Sequence, residues 1–176
     1  DVTEDGIVNN HDLAALRTAL VAPKVVVETN HTAKTDFTAP TNDYLTTRNL
    51  QYTRSNDTLS KVCDNNYSSA YDSGSSFTLP EEFVFKFEAP IEHETTLRLA
   101  ANYASKQGPS KVEIYVQQGG DAWEQVRNSN LIWADIDSNQ CVEIPLKVTG
   151  ITGLKVVVTQ ANLTWNHYII SEMDLF

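Results

Sequence analysis

Period-two alternation of apolar residues constrains this chain most. Phe83, Phe85 and Phe87 alternate with Val84 and Lys86, and Leu97, Leu99 and Ala101 with Thr96 and Arg98. Val112, Ile114 and Val116 repeat the pattern, as do Val142, Ile144, Leu146 and Val148, and then Leu154, Val156 and Val158. A strand turns successive side chains to opposite faces, so each set shares one face, as a half-buried antiparallel sheet requires. Turn chemistry separates the runs at Gly108-Pro109, Gly119-Gly120-Asp121, Asp137-Ser138-Asn139, Gly150 and Gly153. Beyond residue 22 no second long helical pattern occurs. Short strands at this spacing predict a mostly β chain, a β-sandwich of about 150 residues. Pro145 lies on the outward parity of its run, which predicts a sheet margin or a bulge there.

The N-terminal stretch DVTEDGIVNNHD has different chemistry. Asp1, Thr3, Asp5 and Asp12 fall at the spacing of a calcium loop, with Gly6 at the bend and the Ile7 carbonyl at the seventh position. A hard cation seeks six to eight oxygens, and such a loop offers them from alternate positions. Leu13, Leu16 and Leu20 then share one face of a helix. An acidic helix N-terminus that merely complements the helix dipole is the other reading. The loop ends in Asp12 where an EF-hand has Glu, and no helix precedes it. In this it resembles a dockerin repeat, the module that plugs bacterial secreted or surface enzymes into cohesin-bearing scaffolds. The resemblance implies a cohesin partner read by Asn10, His11, Arg17 and Thr18, and a companion repeat upstream of Asp1. The expected division is a partial dockerin-like repeat over 1–22, a linker and first strand over 23–44, and the sandwich over 45–176.

The formal net charge of −10, with 13 basic residues, argues against a partner that tracks phosphates along nucleic acid. No apolar run has the length of a membrane span. Cys63 and Cys141 are too few for a disulfide scaffold and form no zinc motif, so two buried thiols are favoured over a disulfide.

Several motifs within the sandwich resemble the coagulation-factor type C, or discoidin, family, whose galactose-binding-domain-like fold is shared by family 32 carbohydrate-binding modules; the resemblance implies that the sandwich is a jelly roll. DNNYSSAY (residues 64–71) is similar to the family's D-G-D-x-S-T-x-W, with Asp64, Asn66 and Ser69 in the places of the acids and the Thr and Tyr71 in that of the Trp. KVEIYVQQGGDAWEQV looks like its central hairpin, and WNHYIISEMDLF like its closing strand, with Glu172 where the family carries a Glu. The resemblance implies a structural calcium held by Asp64, Asn66, Ser69 and Glu172. Asn66 replaces an acid and Asn65 a Gly, so a hydrogen-bonded turn without metal is the competing expectation. It also implies a glycan site on the loops at one end of the sandwich.

A sugar site needs an apolar platform for the ring face and donors and acceptors for the hydroxyls. On those loops the candidates are Tyr71, Asn102, Tyr103, Lys106, Trp165 and His167, with Tyr44 and Asp72 as possible contributors. Trp165 reads equally as a core residue capping the sheet. No catalytic set is found: His93-Glu94-Thr95-Thr96 begins a zinc motif, but Leu97 stands where the second His would be. The expectation is a non-catalytic glycan-binding module, with calcium as cofactor and an extracellular or cell-surface location in a bacterium. A spacer sandwich that contacts protein, or a fragment of a glycan-active hydrolase, is the alternative.

Overall fold

A computed structural model describes residues 26–51 and 57–176. The N-terminal calcium loop and helix, with Asp1, Thr3, Asp5, Ile7 and Asp12, lie outside the described residues. The strands are β1 (Glu28–Thr32), β2 (Leu50–Gln51), β3 (Tyr71–Asp72), β4 (Glu81–Ile91), β5 (Thr96–Asn102), β6 (Pro109–Gln117), β7 (Glu124–Ile132), β8 (Asn139–Pro145), β9 (Ile151–Ala161), β10 (Ile169–Ile170) and β11 (Glu172–Leu175). A six-stranded sheet runs β1-β7-β6-β9-β4-β2, a three-stranded sheet runs β11-β5-β8, and β10 pairs with β3. β1 pairs with β7 in parallel, and the other strand pairs are antiparallel.

The alternation read from sequence sets the register. On the large sheet Phe83, Val156 and Ile114 form one row, and Phe85, Leu154 and Val116 the next. On the small sheet Leu97 faces Ile144 and Leu175, while Leu99 faces Val142 and Met173. These inward sets bury one another in a single core, as two packed sheets must. Each fully buried branched or aromatic side chain there stabilises the fold by about 1.5–3 kcal/mol relative to exposure. Pro145 closes β8 at the margin of the small sheet and is exposed. Cys63 and Cys141 are buried free thiols, and burial pushes them up to about 12 and about 11 respectively.

Within 23–44, read as a linker and first strand, β1 joins the large sheet beside β7. Lys34 N–H donates to Cys141 O and Cys141 N–H to Lys34 O (both 2.9 Å), which ties the chain to β8. It then crosses the outer face of the small sheet and meets β11, where Tyr44 N–H donates to Leu175 O (2.8 Å). Asp43 Oδ1 accepts from Leu175 N–H (2.8 Å) and Leu45 N–H (3.0 Å). Beneath this strap lies Arg98, whose side chain is 6% exposed. Its guanidinium donates to Thr38 O (2.8 Å), Glu143 Oε1 (2.8 Å) and Tyr67 OH (3.1 Å). Phe37 and Phe176 cover it, with ring centroids 5.4 and 4.8 Å away.

Candidate functional site

Three loops meet at the end of the sandwich where β5 finishes. After Asn102 the chain makes a single helical turn, Ala104–Gln107, before β6 begins. Entering that turn puts Tyr103 in the left-handed region (φ 49°, ψ 38°). A side chain costs free energy there unless its surroundings fix it. Asn102 Oδ1 accepts the Tyr103 N–H (2.9 Å), and Ala104 is wholly buried beneath. The turn closes at Gly108, where a Cβ would stand 2.8 Å from Ala104 O.

The loop after β9 is bonded to this turn along its length. Asn162 N–H donates to Gly108 O and Thr164 N–H to Lys106 O (both 2.9 Å). Asn162 Nδ2 donates to Ala104 O (2.9 Å), and His167 Nε2 lies 2.8 Å from Gln107 Oε1. The pairing brings Tyr103 and Trp165 together, ring centroids 5.7 Å apart at 62°. Edge-to-face contact fixes both rings, yet Trp165 remains 48% exposed. Asn102, Tyr103, Lys106, Trp165 and His167 therefore share one end, and Trp165 is not a core cap.

Tyr71 is a correction. It is 0% exposed, packed edge-on to Phe83 (5.2 Å) and against Tyr168 (5.9 Å), and its hydroxyl donates to Glu81 Oε1 (2.6 Å). Its outward-looking motif is a core turn, so the ring offers no face to a ligand. Tyr44 is a second correction: it sits beside His93, which precedes β5, and so at the far end of that strand. Asp72 does approach the loops, 3.9 Å from His167 Nδ1.

A third loop, missed in the sequence, completes this end. Asp135 accepts from Lys106 Nζ and from Ser105 Oγ, each at 2.8 Å. The Lys106 hydrogen bond, then that of Ser105, holds the Asp135 carboxyl below its usual range. Ile136 beside it and Leu163 are exposed. Only the turn-like composition of residues 134–138 signalled this loop; nothing local signalled the pairing with Lys106.

A second polar cluster lies where the turn after the 3-10 helix Leu59–Cys63 meets β11. Asn66 N–H is shared between Asp64 Oδ1 (3.1 Å) and Glu172 Oε2 (3.0 Å). Ser69 Oγ donates to Asp64 Oδ2 (2.9 Å), and Ser68 N–H to Asn66 Oδ1 (3.0 Å). So Asp64, Asn66, Ser69 and Glu172 come together, and the Asx turns of the metal-free expectation are formed. The turn does not satisfy Glu172, which is 0% exposed and whose Oε1 has no hydrogen-bond partner among the described residues. Burial, reinforced by the Asp174 charge, raises Glu172 to about 8. Asp43, which sequence reasoning missed, is raised by burial to about 6.

Buried carboxylates without a counter-charge are costly. The donors are hard oxygens, and the orphaned Glu172 oxygen is what a calcium ion would engage. Among the described residues no three His, Cys, Asp or Glu side chains converge on one metal point. An ion here would therefore depend on backbone carbonyls and water for the rest of its shell.

No protein-family model and no curated protein matches this chain. Solved structures do resemble it in fold. CBM32-1, a carbohydrate-binding module (CBM) from a family 31 glycoside hydrolase of Clostridium perfringens, is 19% identical; the match covers 72% of this chain and 92% of that one, with a TM-score of 0.55. The family 32 CBM of C. perfringens NanJ, solved with galactose, is 15% identical over 72% and 90% of the two chains, TM-score 0.53. CpGH89CBM32-5 of the same organism, solved with GalNAc-β-1,3-galactose, is 17% identical over 73% and 90%, TM-score 0.51. The chain thus has the discoidin-like β-sandwich fold of these modules.

Proposed function

We propose that this chain is a non-catalytic carbohydrate-binding module that receives a glycan on the loop end bearing Tyr103 and Trp165. The observation that carries the reading is the fixed Tyr103–Trp165 pair, with Trp165 half in solvent and Lys106 and His167 on the same loops. An indole face matches the C–H face of a pyranose, and amide, imidazole and ammonium groups suit its hydroxyls. The loops are already bonded to one another, so little ordering cost is left for binding. The sugars seen with two structures of similar fold lend support. Such a module serves an attached enzyme by holding it near substrate, an effective-concentration effect.

A calcium ion at Asp64, Asn66, Ser69 and Glu172, with Asp43 nearby, would stabilise the fold without touching the glycan. The dockerin-like residues 1–22 would join the module to a cohesin-type scaffold outside a bacterial cell. Their test is calorimetry, in which Asp5→Ala abolishes the calcium signal of the N-terminal loop.

The glycan reading is tested on an array, followed by titration of the best hit. Trp165→Ala or Tyr103→Ala is expected to cut affinity at least about tenfold, or about 1.4 kcal/mol. Parent-like binding by both variants would move the site elsewhere. A blank array would favour a spacer that contacts protein, and product release from a polysaccharide would make the chain an enzyme.

A further inference from the structure

The opposite end of the sandwich carries a cleft of its own. β5 separates the two ends: Asn102 leads into Tyr103, whereas Thr96 N–H donates to Phe176 O at the other end (2.7 Å). At about 3.3 Å per residue the strand holds them roughly 20 Å apart. The cleft has a volume of about 530 Å³, within the range of about 300–1,000 Å³ common for small-molecule sites. Thr38, Thr41, Asn42, Tyr44, His93 and Phe176 line it, above Arg98.

Three features define what it accepts. One wall is aromatic: Tyr44 and His93 contact each other with ring centroids 5.6 Å apart, and the Tyr44 hydroxyl lies 3.4 Å from His93 Nε2. The rim is polar: Thr41 and Asn42 are exposed, and their side chains hydrogen-bond to no described residue. The floor is electrically quiet. The Arg98 guanidinium is matched by Glu143 (2.8 Å) and Asp174 (3.6 Å), and its Nη1 donates to Thr38 O and Tyr67 OH. An anion would therefore find no unpaired cation at the floor, and an alkyl chain would leave the rim polar groups dry. A neutral polyhydroxylated ring fits, stacking on the aromatic wall and bonding to Asn42 and the threonines. The strap is pinned on both sides of the cleft, at Thr38 and at Tyr44, so the rim is preorganised.

We infer that this cleft is a second binding site for a neutral sugar, facing away from the Tyr103–Trp165 loops. It stands on its own geometry and not on the reading of those loops. Two sites pointing in opposite directions cannot share one short oligosaccharide. The module would bridge two glycan strands, and its affinity for a polymer network would exceed that of either site.

The test is an amide-shift titration of the whole ¹⁵N-labelled chain with galactose, GalNAc, N-acetylglucosamine, glucose and mannose in turn. At least one sugar is expected to shift Asn42, Tyr44 and His93. Those shifts should persist in Trp165→Ala, and Asn42→Ala or His93→Ala should weaken them at least about fivefold. Both positions are exposed, so the fold should tolerate either change. Shifts confined to the loop end, shifts at the cleft that vanish in Trp165→Ala, or parent-like affinity in both cleft variants would overturn the second site. Shifts confined to the cleft would uphold it and sink the loop reading, and silence at both ends would sink both.

Discussion

On the six-stranded sheet the outward side chains Glu82, Glu113, Tyr115 and Lys155 reach solvent and pair with one another. Lys155 lies 3.7 Å from Glu82 and over the rings of Tyr115 and Trp123, and the Tyr115 hydroxyl donates to Glu113 (2.6 Å). On the three-stranded sheet the outward side chains Arg98, Glu172 and Asp174 are buried. Both sheets obey the same alternation. What differs is the cover: the strap of residues 33–45, together with the 3-10 helix and turn of residues 59–69, makes the polar face of the small sheet a second interior. Charges on the first face are screened and interchangeable; on the second each needs its partner.

Four measurements can break or sharpen that contrast. Arg98→Ala should have the largest effect, because it strands Glu143 and Asp174 under the strap and empties the space between Phe37 and Phe176. Urea unfolding is expected to show a loss of roughly 3–5 kcal/mol; a loss below about 1 kcal/mol would mean the face is effectively solvated.

The second is a pH effect. Glu172 binds its proton more tightly folded (about 8) than unfolded (4.5). Between those values the native state holds a proton that the unfolded chain has released. In chelator, stability should therefore be full below about pH 4.5 and fall as pH rises towards about 8. Asp43, raised to about 6, adds to the lower part of the window. The fall should be on the order of 3 kcal/mol, roughly 6–12 °C in melting temperature. Calcium should flatten it, and Glu172→Gln should remove most of it. A flat profile in chelator would count against a burdened acid cluster.

Third, Tyr67→Phe removes the hydroxyl that donates to Asp174 Oδ2 (2.5 Å) and accepts from Arg98. The expected cost is about 1–2 kcal/mol, and it should be non-additive with Arg98→Ala in a double-mutant cycle. Smallest of all, Lys155→Ala on the large sheet should cost about 0.5–1 kcal/mol and shrink in high salt. Equal costs for Lys155→Ala and Arg98→Ala would dissolve the distinction between the faces.

The sheets were legible because alternation is local: Phe83-Val84-Phe85 or Val112-Glu113-Ile114 announces a face without help from the rest of the chain. Which polar faces are covered was not legible. Glu172 and Asp174 have the same parity signature as Glu113, and only the paths of residues 33–45 and 59–69 over them make the difference. That Tyr103, Lys106 and Trp165 lie on loops was legible because turn chemistry flanks them. Tyr71 was misplaced because its motif is also turn-like, and nothing nearby reveals that Phe83 and Tyr168 close over the ring. Asp135 and Asp43 were missed because their partners, Lys106 and Leu175, are remote in sequence.

The strap also bears on how the molecule avoids its own kind. A three-stranded sheet offers two lateral rows of backbone N–H and C=O groups, each able to recruit a strand from another molecule. Lys34 occupies the row beside β8, and Tyr44 and Asp43 occupy the row beside β11. One stretch of chain thus shields both flanks. A version of the domain beginning at residue 46 would keep most of the core yet bare two adhesive margins, and it should form intermolecular β-structure where the chain carrying residues 26–45 stays monomeric in light scattering.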